Sequence, residues 1–429
     1  MALDNSNTLG IVDNSPRART VRHLLEWVMD GRLSAGSRLP SELQLANKLK
    51  VSRTTIRLAL SDLAGQEIIQ SDRRRWIVRE NVKPSRGFLS DAVALIMEPP
   101  DQAEYSNHIH HTWHIDFVHT GAVAAIRNAG FDAYTIHPDR VAGDMIQRII
   151  AQRPRGVIVL SRVLQQESGQ RIGKALHEGN VPFVIYGDLG LAAGVSALQG
   201  VDSVVSDHEA GAYALTQWLI KQGRRRILRF WQLHMRGPQE KELWLLQRDR
   251  GYERAMKDAG LEPLPALEVY DPGYHNFGNT KENFEFRARI MAGYLIEHLL
   301  GNEPVDAIIA PSDGMIGHLS AALRVHGRKV NDDVLLAGYD NMWDDLEVRE
   351  WEPLGPVATV DKRNLEIGAN LLDLLAERIE GKLFAKGERR VVMPELVVRP
   401  SAFPRDAASA PMTFPIAKLP RDVSKRKTS

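Results

Sequence analysis

The sequence predicts an α/β protein of two parts: a small basic helical head, then a larger body of doubly wound parallel sheets in two lobes. Three observations carry this. Residues 39–69, LPSELQLANKLKVSRTTIRLALSDLAGQEII, have the spacing of two short helices joined by a tight turn. From Asp91 onward short apolar runs alternate with amphipathic helices, the pattern of parallel strands covered on both faces. These units are too many for one sheet, and 429 residues exceed one ordinary domain.

In the head, Pro40 stops the preceding segment. Ser41 then caps a helix, with Gln44 reaching back as its capping-box partner. Leu43, Leu45, Ala46 and Leu49 give that helix an apolar side, and Ser52 opens a second helix on which Ile56, Ala59, Leu60 and Leu63 face inward. Arg53, Thr54, Thr55 and Arg57 are left pointing outward. Arginines and hydroxyls at an exposed helix start suit phosphates and base edges, as in a helix-turn-helix whose second helix enters the major groove. Ahead of this pair, Ser15-Pro16 opens a helix with Val21, Leu24, Leu25 and Val28 on one side. Behind it, Gln70–Arg79 reads as a short hairpin. Arg73, Arg74 and Arg75 at its tip either follow the DNA backbone and minor groove or form a solvated turn that adds nonspecific attraction.

LPSE, VSRTT-I-R and AL-x-x-L together resemble the winged helix-turn-helix of the GntR family of bacterial transcription regulators, over roughly Arg17–Arg79. The resemblance implies operator contacts by Arg53, Thr54, Thr55 and Arg57, with Ser41 and Ser52 at the helix starts and Arg38 near a phosphate. The sequence departs from the family at three places. Leu43 stands where the family often has arginine, Lys50 replaces a common turn glycine, and the arginine-rich 72–76 replaces a glycine-rich wing tip.

Composition agrees. A hydrophobic fraction of 43% with 25% charged residues is that of a globular protein with a sizeable core. The net charge of +1 hides an asymmetry: basic residues outnumber acidic ones about two to one across 17–83, leaving the remainder acidic. With no cysteine there is no disulfide or thiolate site, which fits a reducing cytoplasm. No secretory signal or membrane-spanning run is legible.

Along the body, strands are predicted near Ala92–Met97, Ala133–His137, Gly156–Leu160, Pro182–Tyr186, Ile227–Trp231, Leu267–Tyr270, Val305–Ala310 and Val334–Gly338, with helices between them. VDSVVSDHEAGAYALTQWLIKQGRRRI, RDRGYERAMKDAG, VDAIIAPSDGM, DVLLAGYDN and PELVVRPSA resemble the effector domain of LacI/GalR-type regulators, a fold shared with periplasmic sugar-binding proteins. A GntR-type head on such a body is the arrangement of arabinose-repressor-type regulators. The resemblance implies a ligand between the lobes and three chain crossings, near 204–207, 358–361 and 390–393. The expected organisation is a disordered 1–15, the head at 16–80, a linker at 81–90, the body at 91–404 and a disordered tail at 405–429. Lobe 1 takes 91–205 and 359–390; lobe 2 takes 206–358 and 391–404.

Several residues are candidates for that ligand. The resemblance matches Arg248 to a sugar-binding arginine, whose several fixed donors suit vicinal hydroxyls; the alternative is a helix-start surface arginine. Asp340 follows a strand end, where open α/β sheets hold ligands, and a carboxylate there accepts two hydroxyls. Ser312 and Asp313 sit where the family commonly has Asn-Asp, with capping as the other role for Asp313. Asp188 lies near an acidic position of the family. Trp113 and His114 belong to a cluster with Tyr105, His108, His110, His111 and His119 at the expected cleft border, suited to stacking or hydrogen bonding or forming an ordinary polar loop; zinc is disfavoured because no HExxH carboxylate is present. Tyr270–Phe277 forms a further candidate rim.

No phosphate loop, nucleophile elbow or dinucleotide fingerprint is present. The expectation is a cytoplasmic, ligand-responsive regulator without a cofactor or metal and without enzymatic activity. It would act most simply as a dimeric repressor of sugar-use genes, with double-stranded operator DNA and a sugar as partners and no membrane. An activator, or a sugar-binding or sugar-processing protein, is the alternative.

Overall fold

A computed structural model describes residues 16–29, 33–65, 67–72, 75–79, 89–97, 113–141, 145–160, 167–187, 200–233, 243–270, 280–383, 387–403 and 412–418. The chain divides into two compact units, Met1–Phe88 and Leu89–Ser429.

The first unit holds helices α1 (Pro16–Met29), α2 (Glu42–Leu49) and α3 (Arg53–Gly65), then the antiparallel hairpin β1 (Ile69–Asp72) and β2 (Arg75–Val78). The capping box at Ser41 is formed: its hydroxyl accepts the Gln44 N–H at 3.3 Å, and the Gln44 side chain accepts the Ser41 N–H at 2.9 Å. The Ser52 hydroxyl likewise accepts the Thr55 N–H at 3.0 Å. Between these helices Lys50 adopts the left-handed conformation, with φ +53°, and its N–H bonds Ala46. Leu24, Trp27, Leu45, Ile56, Leu60 and Leu63 form the core, closed by Ile69 and Val78 from the hairpin. One predicted core residue is not in it. Leu43 is exposed; the residues that α2 buries are Leu45 and Ala46.

The second unit contains two sheets. Lobe 1 uses β3 (Ala92–Ile96), β4 (Asp132–Ile136), β5 (Gly156–Leu160), β6 (Phe183–Tyr186), β7 (Asp202–Ser206) and β13 (Arg389–Val392), all parallel, in the order β13-β7-β6-β5-β3-β4. Its helices are α4 (Trp113–Asn128), α5 (Met145–Ala151), α6 (Glu167–Glu178) and, from far along the chain, α11 (Asn364–Ile379). Lobe 2 uses β8 (Ile227–Leu233), β9 (Leu267–Tyr270), β10 (Ala307–Ile309), β11 (Leu335–Tyr339), β12 (Ala358–Asp361), β14 (Glu395–Val398) and β15 (Met412–Pro415) in the order β15-β14-β12-β11-β10-β8-β9. Helices α7 (His208–Lys221) and α8 (Leu243–Asp258) supply residues to the apolar core on one face of this sheet. Helices α9 (Lys281–Leu300) and α10 (Ile316–Val325) do so on the other.

The chain passes between the lobes at 206–208, 361–364 and 392–395. The second passage lies later than predicted, because β12 pairs along its length with β14 in lobe 2. The predicted disordered tail also needs correction. Met412–Pro415 is an antiparallel strand on β14, held by backbone pairing that its composition does not announce. In lobe 1, α4 and α11 cross backbone to backbone. A side chain at Gly121 would collide with the Leu365 carbonyl, and one at Gly368 with that of Val118.

Candidate functional site

On the head, the exposed face of α3 carries Arg53, Thr54, Arg57, Leu58 and Ser61. Thr55 is half-buried, and its hydroxyl lies 2.8 Å from that of Ser52, so both belong to the cap of the helix. Glu42, the first residue of α2, gathers the two arginines: its carboxylate is 3.1 Å from the Arg57 guanidinium and 4.0 Å from that of Arg53. That contact holds Arg57 more firmly in its protonated form. Arg38 bridges to Ile77 of β2 through its backbone, while its guanidinium lies 3.7 Å from Asp72. Arg75 opens β2, paired in register with Asp72, and is exposed. Arg73 and Arg74 lie outside the described residues. The result is one face carrying Arg53 and Arg57, and a two-stranded hairpin carrying Arg75.

In the second unit, the ends of the parallel strands bring the ligand candidates together. Arg248, on α8, is buried; its guanidinium lies over the rings of Tyr339 at 3.5 Å and Trp244 at 4.4 Å, and it donates to the Pro311 carbonyl at 2.7 Å. It is therefore held by two aromatic faces and a strand-end carbonyl, not displayed at a surface helix start. Asp340 leaves the end of β11 with φ +88°, and the Lys362 ammonium is 2.7 Å from its carboxylate. Burial pulls Lys362 below the ordinary lysine range; the neighbouring Asp340 opposes this and Arg248 adds to it. Tyr186, at the end of β6 in lobe 1, is raised above the usual tyrosine range by loss of water, and next by the charge of Asp340. Arg248, Asp340, Lys362 and Tyr186 thus share one electrostatic neighbourhood that draws on both lobes, at the carboxyl ends of strands where such sheets hold ligands.

Asp313 plays a different part from the one the motif suggests. It is fully buried, and both carboxylate oxygens are used: one accepts the Thr359 hydroxyl at 2.8 Å, the other the Met342 N–H at 3.0 Å. Burial raises its carboxyl to about 7. Gly338 makes room for it, since a Cβ there would fall on the carboxylate. Ser312 bonds the Gly314 N–H at 3.1 Å and caps the turn that follows. Asn341 continues the frame, donating to Asp361 at 3.0 Å and accepting from Arg399 at 2.8 Å. These contacts fix the backbone that presents Asp340. Trp113 and His114 open α4, but their side chains are outside what the structure describes, as are Asp188, His108, His110 and His111 and the 270–277 rim, of which only the backbone of Tyr270 is described. Among the described residues no group of acidic, histidine or cysteine side chains could hold a metal ion. Lys362, Tyr186 and Tyr339 escaped the sequence reading. Lys362 sits in Asp361-Lys362-Arg363, which looks like a solvated charge run; its place just after an apolar strand was the available signal.

Residues 16–78 match the family described as bacterial regulatory proteins, gntR family, and residues 216–402 match the periplasmic binding protein-like domain. The chain is a transcription regulator that joins a gntR-type DNA-binding head to a periplasmic-binding-protein-like body. It is similar to the arabinose metabolism transcriptional repressor of Geobacillus stearothermophilus, with 22% identity over 391 residues, 89% of this chain and 95% of that protein. It is also similar to the HTH-type transcriptional regulator CelR of Thermobifida fusca, with 32% identity over 59% of this chain and 65% of that one. The HTH-type transcriptional repressor PurR of Vibrio vulnificus is 27% identical over 60% of this chain and 66% of its own. The match to these last two spans just under two thirds of their length. A solved CelR–cellobiose complex has the same fold, with TM-score 0.52 and 22% identity over 84% of this chain and 99% of that one. So has a LacI-family regulatory protein from Chloroflexus aggregans, with TM-score 0.53 and 22% identity over 72% of this chain and 98% of that one.

Proposed function

We propose that the protein is a cytoplasmic, ligand-responsive repressor of carbohydrate-use genes. It binds a palindromic operator as a homodimer and is modulated by a sugar held between the lobes. The observation that carries the effector half is the convergence of Arg248 and Asp340 from lobe 2, Lys362 from the second passage and Tyr186 from lobe 1. Guanidinium, ammonium, carboxylate and phenol at strand ends supply donors and acceptors for a polyol, and the rings of Tyr339 and Trp244 supply apolar faces. Asp313, Ser312 and Asn341 position this set without touching the ligand.

A sugar that touches Tyr186 and Asp340 together binds the closed arrangement of the lobes more tightly than the open one. Only that difference can shift the equilibrium. Closure alters the relative placement of the two heads in a dimer, and with it their fit to two half-sites. Arg53, Thr54, Arg57 and the hairpin arginines supply the DNA contacts; Ser41, Ser52 and Thr55 hold the helices that carry them.

The test is a gel shift on DNA upstream of the gene and its neighbours, with a panel of pentoses, hexoses and disaccharides, using wild type, Arg57→Ala and Asp340→Asn. A shift lost in Arg57→Ala and released by one sugar in wild type, but not in Asp340→Asn, is expected. A shift insensitive to every sugar would discard the effector class, and equal binding by Arg57→Ala would discard the recognition helix.

A further inference from the structure

Among the head's described residues, Leu43 and Leu58 are the large apolar side chains left exposed, at 54% and 44%. A lone exposed leucine is ordinary, but the position of Leu58 is not. At 100° per residue, Thr54, Arg57, Leu58 and Ser61 stand at i, i+3, i+4 and i+7 and form one stripe along α3. All four are exposed, and the stripe lies opposite the buried Ile56, Ala59, Leu60 and Leu63. Leu58 therefore does nothing to anchor the helix. The same i, i+3, i+4, i+7 set is the one by which a helix lying in the major groove offers side chains to base edges.

The groove holds few partners for a leucine. Guanine, cytosine and adenine present donors and acceptors there, and an aliphatic side chain pressed on them leaves those groups unpaired. Thymine alone presents an apolar group, its C5-methyl. Arg57 and Leu58 thus stand side by side in the middle of the stripe, with Arg53 one turn before Arg57 and both arginines gathered by Glu42. The arginines supply attraction to an anionic duplex; the leucine supplies none.

We propose that Leu58 is a specificity-determining residue that packs on the C5-methyl of one thymine in each operator half-site, so that the protein prefers thymine over cytosine at that position. This rests on the reading that α3 enters the major groove of operator DNA.

The experiment begins by selecting duplexes from a random pool with the full-length protein. Each thymine of the selected sequence is then replaced, one at a time, by deoxyuridine, which removes the methyl and leaves base pairing intact. Wild type, Leu58→Ala and Leu58→Gln are titrated on the set. One thymine per half-site should cost wild type about fourfold in affinity when its methyl is removed, and cost Leu58→Ala nothing. Leu58→Gln, reselected, should change its base preference at that position and no other. The proposal is overturned if every uracil substitution costs wild type and Leu58→Ala the same, or if Leu58→Gln selects the wild-type base. Failure of the groove reading looks different: wild type then recovers no preferred sequence, or Arg57→Ala binds the selected duplex as tightly as wild type.

Discussion

Lys362 sets its ammonium 2.7 Å from the carboxylate of Asp340, with neither side chain more than a tenth exposed. Both sit at strand ends: Asp340 where β11 turns with a positive φ, Lys362 one residue past β12 at the second passage between lobes. Two charges this buried are tolerable only as a pair. Lys362→Met should therefore destabilise the body by about 3–5 kcal/mol, because a carboxylate is left in a dry site without its counter-ion. Lys362→Met combined with Asp340→Asn should recover much of that loss. Denaturant unfolding of the three variants makes the double-mutant cycle; additive losses would show the pair is not coupled.

Asp313 gives the body a pH dependence of defined sign. Its carboxyl stands at about 7 in the folded protein, against an ordinary 3.8, because burial disfavours the charge. The folded state thus binds that proton more tightly than the unfolded chain. Its contribution to stability is intact below about pH 4, falls as pH climbs, and is lost above about pH 7. Asp313→Asn removes the titration and keeps an acceptor for the Met342 N–H. The melting temperature of the variant relative to wild type should rise between pH 5 and pH 8, and a flat difference would contradict the assignment.

Lys50 holds the turn of the helix-turn-helix in the left-handed region. There a side chain costs about 1 kcal/mol or more, whereas glycine has no Cβ to clash. Lys50→Gly should raise the stability of the head by roughly 0.5–1 kcal/mol, read as a higher midpoint in its thermal unfolding. It should leave the base preference of the selected operator unchanged.

Glu42 restrains Arg57 and Arg53 at the price of placing a carboxylate on the surface proposed to face DNA. Glu42→Gln should bind nonspecific duplex more tightly and discriminate less between selected and scrambled sequences. The log–log salt dependence should steepen by about one. Competition binding at several salt concentrations measures both; an unchanged slope would mean that Glu42 neither screens nor orients the arginines.

Much of this was legible in the linear sequence. Ser41 and Gln44 are three residues apart, so the capping box is a local pattern, and the alternation of apolar runs with helices gave the layered body. What escaped depends on contacts between distant segments. Leu43 fits the apolar side of α2 by spacing, yet packing chose Leu45 and Ala46. Asp313 reads equally as cap or ligand until Thr359 and Met342, which lie 46 and 29 residues away, are seen around it. Lys362 reads as solvated until β11 brings Asp340 beside it. β15 is a four-residue stretch hemmed by Pro411 and Pro415, too short an alternation to announce a strand, and exists because the edge of β14 offers it backbone partners.

The three passages between the lobes have a consequence for how such a chain could arise. A segment joined to the rest by one covalent passage can be exchanged at a single junction, and the head, ending at Phe88, is such a segment. The lobes are not. Lobe 1 ends with α11 and β13, which lie beyond most of lobe 2 in the gene, so no single junction transplants either lobe whole. Recombination can therefore shuffle which DNA a body answers to, while the two halves of the proposed ligand site are inherited together.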